Sequence, residues 1–231
     1  VGAYQEDSST TGISSTPDES ATNAGAAYIF SGLGPVSAPT VTNVSPTSGS
    51  TLGGTTVAAG AVLDLNGLAV GAEAVTLNGT GIGGTGALIN DNINYTAASL
   101  SGAVTLASAS SVGGTMGNIT LSGALTGAND FSKVGSNTVN LTAASSGRTT
   151  SAASTQVNGG VLSVQHNTAL GTNATANTIP VSVNSGGTLE IKGTGLVLDD
   201  GLQLILSNGG TLRTNGSNTI NSGLLVPTSV S

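Results

Sequence analysis

Cysteine and tryptophan are absent from this chain, and only four of its 231 residues are basic. Without cysteine there is no disulfide scaffold and no thiolate chemistry, and with a single histidine the ligand set of a zinc site is missing too. Four Lys and Arg against eleven Asp and Glu, a formal net charge of −7, leave no electrostatic footprint for nucleic acid or an anionic lipid surface. Aromatic residues make up 2%, so the two Phe, three Tyr and one Met cannot fill a wide globular interior. No stretch of about 18 apolar residues crosses a membrane, and no aromatic-girdled alternating strands mark an outer-membrane barrel. The sequence opens at Val1 without a leader, as expected of a mature or trimmed piece of a longer secreted product.

What is present is Gly (36 residues), Ser, Thr and Asn, set among short alternating runs of Val, Leu and Ile. Charged residues are 6%, against about 25% in an ordinary domain. A disordered chain has few aliphatic residues and a high charge density, so this composition fits packed β structure. An apolar stock of Ala, Val, Leu and Ile suits a narrow core repeated along an axis.

Three zones follow one another. Residues 1–34 are acidic, with a polar loop leading to a strand-forming run, Ala26, Ala27, Tyr28, Ile29, Phe30. Residues 35–57 hold three of the six prolines around Val41-Thr42-Asn43-Val44. From residue 58 to 231 the texture is uniform, and there the internal repetition that decides folds is found. QVNGGVLSV (156–164), SVNSGGTLEI (182–191) and LSNGGTLRT (206–214) each read as strand, Gly-Gly turn, strand. Their second glycines fall at 160, 187 and 210. Leu63 and Leu65 alternate with Val62, Asp64 and Asn66, and Leu189 and Ile191 flank Glu190, the period of a half-buried strand.

Short strands, frequent turns and a repeat in the low twenties predict a parallel β-solenoid of three strands per coil. Stacked at about 4.8 Å, some seven or eight coils span roughly 35 Å. Val157, Val161, Val181, Val183, Leu189, Ile191, Leu204, Leu206 and Leu212 are its expected core. Asn158, Asn184 and Asn208 are expected to stack at turns and to take left-handed backbone there. The alternative all-β reading is an antiparallel sandwich, which normally has large aromatic core residues and non-repeating strands.

On these residues the chain resembles known families. FSKVGSNTVNLTAASS followed by TTSAASTQVNGGVLSVQHNTALGT (131–172) looks like the autotransporter-associated, or passenger-associated, β-strand repeat, with Lys133, Gly135, Leu141, Val157, Gly160 and Leu162 in matching places. The resemblance implies a right-handed parallel β-helix in a surface or secreted protein. Residues 1–31 resemble part of an FG-GAP propeller repeat, without its acidic calcium loop. Residues 39–57, PTVTNVSPTSGSTLGGTTV, resemble the opening of a TIG/IPT domain whose remainder does not follow. A fragment of a blade and one opening strand cannot bury their own apolar faces. Residues 1–57 are therefore expected to be an extended N-terminal β arm, which either docks on a neighbouring subunit or folds back along its own solenoid and caps it.

Candidate chemistry is sparse. Asp199-Asp200 precedes Gly201 and reads as a turn; adjacent strand residues face opposite sides, against the fixed separation a carboxyl pair needs for glycoside cleavage. His166 has no nucleophile-elbow Ser in the sequence. Gly81 to Gly86 lack the Lys-Ser/Thr and helix of a phosphate loop. Calcium would draw on Asp91, between Asn90 and Asn92, and on Asp199 and Asp200. Seven Asn-x-Ser/Thr sequons (Asn43, Asn78, Asn94, Asn118, Asn140, Asn173, Asn215) are about what the composition gives by chance.

The expectation is thus an extracellular, non-enzymatic structural protein without cofactor or membrane insertion. Its partner is itself, in a head-to-tail homopolymer forming a filament or surface layer. Self-association is expected through Ala26, Tyr28, Ile29, Phe30, Val41 and Val44, by β-augmentation of a neighbouring subunit. The alternative is a monomeric adhesin or passenger stalk that binds cell-surface or matrix glycans. A third reading, a carbohydrate-active β-helix enzyme, needs a one-sided cluster of Asp, Lys and Arg; only Lys192 and Arg213 lie about a coil apart.

Overall fold

The computed structural model describes residues 2–3, 26–27, 54–145, 147–172, 179–198, 201–221 and 223–226. The chain divides into two compact units, Val1–Ser48 and Gly49–Ser231. In the first, Gly2–Ala3 and Ala26–Ala27 form an antiparallel ribbon, with Gly2 opposite Ala27 and Ala3 opposite Ala26. Tyr28, Ile29, Phe30, Val41 and Val44 lie outside the described residues.

The second unit is a parallel β-solenoid. Its most regular wall is a seven-stranded sheet, which gives seven coils. In chain order its strands are Ala69–Val70, Ala98–Leu100, Ile119–Leu121, Thr138–Leu141, Gly160–Val164, Gly187–Lys192 and Thr211–Asn215. Register partners on the core side run Val70, Leu100, Leu121, Leu141, Val164, Ile191, Thr214, each one coil on from the last. A second wall stacks Phe131–Lys133, Thr155–Val157, Ile179–Val183, Leu202–Leu206 and Gly223–Leu225. A third begins with Thr55–Val57 on Val75–Gly79, three residues ahead of the expected start at 58. The ten-residue strand Val104–Gly113 runs through two of these walls: its first half pairs with Leu125–Thr126 and its second with Phe131–Lys133.

The alternation seen in the sequence sorts side chains as period 2 requires. Ile119, Leu121, Val139, Leu141, Leu162, Val164, Leu189 and Ile191 are buried, and one apolar cluster extends from Val57 to Leu204. Phe131 is the aromatic member of that cluster. Six of the nine expected core residues are fully buried: Val157, Val181, Val183, Leu189, Ile191 and Leu204. Val161 is half-buried because Leu162 takes the core row with Val139 and Leu189, which turns Val161 outward between Thr138 and Thr188. Leu206 and Leu212 pack against the core but are only partly covered. Leu212 lies on the last strand of its wall, and the strand Gly223–Leu225 pairs only with Gln203 to Ile205, stopping short of Leu206.

Coil corners are tight. A Cβ built on Gly102 would come 1.9 Å from the Glu73 carbonyl oxygen of the coil before, so hydrogen alone fits there. Asn158 and Asn184 do stack, Asn184 Nδ2 donating to Asn158 Oδ1 at 2.6 Å. The next position in the column is Ser207, whose hydroxyl donates to Asn184 Oδ1 at 3.2 Å. Left-handed backbone at these turns falls on glycine, at Gly160, Gly186 and Gly209, while among the described residues the non-glycine positions with positive φ are Asn66 and Tyr95.

Candidate functional site

The four basic residues separate into two pairs. Lys133 and Arg148 are fully buried. Lys133 takes a core position in register with Val112 and Val157. Its ammonium donates to the carbonyls of Val134 (2.8 Å), Gly135 (3.0 Å) and Gly159 (3.1 Å), which uses all three of its protons at a corner between two coils. Burial pulls its pKa down to about 8.

Arg148 lies in the segment between Thr138–Leu141 and Thr155–Val157, where the chain forms turns instead of a strand. Its guanidinium stands where a strand would bring apolar side chains. Nη1 donates to Asn129 O at 2.9 Å, and Nη2 lies within hydrogen-bond distance of Ala153 O (2.6 Å), Ser154 O (3.0 Å) and Thr155 Oγ1 (3.0 Å). Nε is buried without a partner. Burial lowers the Arg148 pKa to about 10, with the charge of Asp130 opposing the shift. Asp130 Oδ1 in turn accepts from the Ser154 hydroxyl at 2.5 Å.

The second pair is exposed. Arg213 is in register with Glu190 and bonds its carboxylate, while Lys192 is opposite Asn215. The two cations that sequence spacing placed about one coil apart therefore do not face each other.

Asp91 belongs to a corner built mostly from amides. Its Oδ1 accepts from the Thr115 N–H (2.6 Å) and hydroxyl (3.1 Å) of the following coil. The buried Asn90 beside it donates to Thr96 O and Asn118 O and accepts from Gly67 N. Asn92 donates to Asn66, one coil earlier. Asp91 thus acts as a clasp between coils. Asp199 and Asp200 lie outside the described residues. Among the described residues no three His, Cys, Asp or Glu side chains gather to hold a metal ion. His166 accepts from the Thr168 backbone N–H through Nδ1, a contact within its own turn.

Apolar side chains are exposed at the two axial edges, and also at Ile82, Ile93 and Tyr95 in the loops between Val75–Gly79 and Ala98–Leu100. In the first coil a cavity of about 210 Å³ opens among Leu63, Leu65, Leu68, Val70 and Leu100, and is lined also by Asp64 and Glu73. Leu68 is 63% exposed there. Glu73 Oε1 accepts from the Thr55 hydroxyl (2.8 Å) and from the N–H groups of Thr55 and Gly54. These bonds, the hydroxyl's first, hold its carboxyl below the usual range. At the other edge Leu224, Leu225 and Val226 are each at least half exposed.

The buried cations were missed in the sequence. Lys133 was visible only as a repeat-matching residue, and Arg148 sits in a polar stretch that reads as loop. A lysine one coil from Val112 and Val157 was the available signal.

No protein-family model, no curated protein and no solved structure matches this chain.

Proposed function

We propose that this is an extracellular structural protein, a β-solenoid subunit that associates end to end with copies of itself in a filament or surface layer. The reading includes no catalysis and no cofactor. The observation that carries it is the apolar character of both axial edges: the open first coil around Leu68, and Leu224 to Val226 at the far side. A parallel ladder has directional N–H and C=O groups at each edge, and a second copy in the same orientation satisfies them as an internal coil does. Head-to-tail contacts are heterologous and need not close, so they propagate into filaments.

The N-terminal arm adds a second contact in this reading, through Ala26, Tyr28, Ile29, Phe30, Val41 and Val44. A two-stranded ribbon such as Gly2–Ala3 with Ala26–Ala27 is marginal by itself in water, which supports its docking on a neighbouring sheet edge.

Negative-stain microscopy and sedimentation velocity on the whole chain test the proposal. Filaments that grow with concentration are expected. Leu224→Glu should shorten them, and deletion of residues 1–34 should leave a folded, soluble solenoid that no longer polymerises. Single rods at every concentration would overturn the proposal in favour of a monomeric stalk.

A further inference from the structure

Five Asn-Gly dipeptides occur in the sequence, at 66–67, 78–79, 158–159, 208–209 and 215–216. This dipeptide carries its own chemistry. When base removes the glycine amide proton, that nitrogen attacks the asparagine Cγ. The N–Cγ bond forms, the side-chain amide leaves as ammonia, and water opens the resulting imide at either carbonyl to aspartate or isoaspartate. Glycine permits this because no Cβ hinders the approach. Fixing the carboxamide, or engaging the attacking N–H, holds the reaction back.

The solenoid treats the five dipeptides unequally. Gly67 N donates to Asn90 Oδ1 at 2.9 Å, and Gly79 N donates to the Ser108 hydroxyl at 2.9 Å, so both attacking nitrogens are engaged. The Asn66 carboxamide also accepts from Asn92 Nδ2, and Asn78 Nδ2 donates to Val57 O. Asn158 is held by Asn184 Nδ2 from the next coil. Asn208 misses that column by one residue: Val157, Val183 and Leu206 share a row, so the stacking position after Asn184 is Ser207. Asn208 and Gly209 are both exposed, as are Asn215 and Gly216. Neither asparagine side chain, and neither following glycine N–H, has a hydrogen-bond partner among the described residues.

We propose that Asn208, in the turn before the edge strand Thr211–Asn215, and Asn215, the last residue of that strand, are sites of spontaneous conversion to aspartate and isoaspartate, while inter-coil hydrogen bonds protect Asn66, Asn78 and Asn158. Each conversion adds one negative charge, and the charge at 215 arises opposite Lys192. Isoaspartate also lengthens the main chain by one carbon, at the last strand of its wall.

The test is peptide mass spectrometry on the whole chain incubated at mildly alkaline pH, with fragmentation that separates aspartate from isoaspartate. A urea-unfolded sample supplies the intrinsic rate of each dipeptide. Unfolded, all five should convert at comparable rates. Folded, 208 and 215 should outpace the other three by on the order of tenfold, the factor that one retained hydrogen bond supports. Ser108→Ala should release position 78, and Asn184→Ala position 158, with the others unchanged. Equal rates at all five positions in the folded chain would overturn the assignment. So would intact amides at 208 and 215 after the unfolded sample has converted, or no acceleration at 78 and 158 in the two variants.

Discussion

The Lys133 ammonium donates at 3.1 Å to the carbonyl of Gly159, twenty-six residues further along the chain and one coil away. The contact joins two coils from inside, where the rest of the row is apolar. Burial of the ammonium, which the contact opposes, makes stability depend on pH in an uncommon direction. With its folded pKa near 8 and an unfolded value of 10.5, the lysine holds its proton longer in the unfolded chain. Stability therefore rises with pH between those values, by at most about 3 kcal/mol. Urea unfolding at pH 7.5 and pH 10 should show a rise in the wild type that is absent in Lys133→Met.

Arg148→Ala should be among the most damaging single changes. It strips the donor from Asn129 O, Ala153 O and Ser154 O and leaves a hole where the turn segment crosses the core. Unmet buried carbonyls cost about 1–3 kcal/mol each. A loss of several kcal/mol in urea unfolding is expected, and a loss below about 1 kcal/mol would mean that water takes over the guanidinium's role.

Gly102 and Gly186 separate the two reasons for glycine at a corner. At Gly102 the obstacle is space, with a backbone oxygen 1.9 Å from the added Cβ; at Gly186 the surroundings are open but φ is +81°. Gly186→Ala should cost about 1–2 kcal/mol for the left-handed conformation. Gly102→Ala should cost more, because two coils must move apart. Thermal denaturation of the two variants ranks them.

Leu162→Ala removes a fully buried side chain from the row Val139, Leu162, Leu189. A loss of about 2–5 kcal/mol is expected. In a stack where each coil touches only its neighbours, the loss should be local. Hydrogen exchange should quicken around residues 138–192 well before it does near Leu77.

The repeat was legible because its cause is local. Gly160 and Gly187 are register partners, and the Gly-Gly turn that recurs at 160, 187 and 210 marks places where one backbone passes close to another. Alternation around Glu190 gave the core rows for the same reason. What stayed hidden depends on register between coils. Asn208 resembles Asn158 and Asn184 along the chain, but the column moves to Ser207 because the ladder counts from Leu206. The inward direction of Lys133 and the lodging of Arg148 in the core are likewise properties of the stack, invisible in a stretch as polar as residues 142–154.

The stacking of strand on strand also decides how the solenoid carries load. Its inter-coil hydrogen bonds run along the axis, while the chain runs around it. Tension applied to the chain at an edge therefore opens the ladder a bond at a time, and a whole wall need not shear at once. Each coil peeled away replaces a rise of about 4.8 Å with roughly 22 residues of extended chain, some 70 Å long. Pulled in this way, the seven coils act as a reel that releases about fifteen times the length it stores.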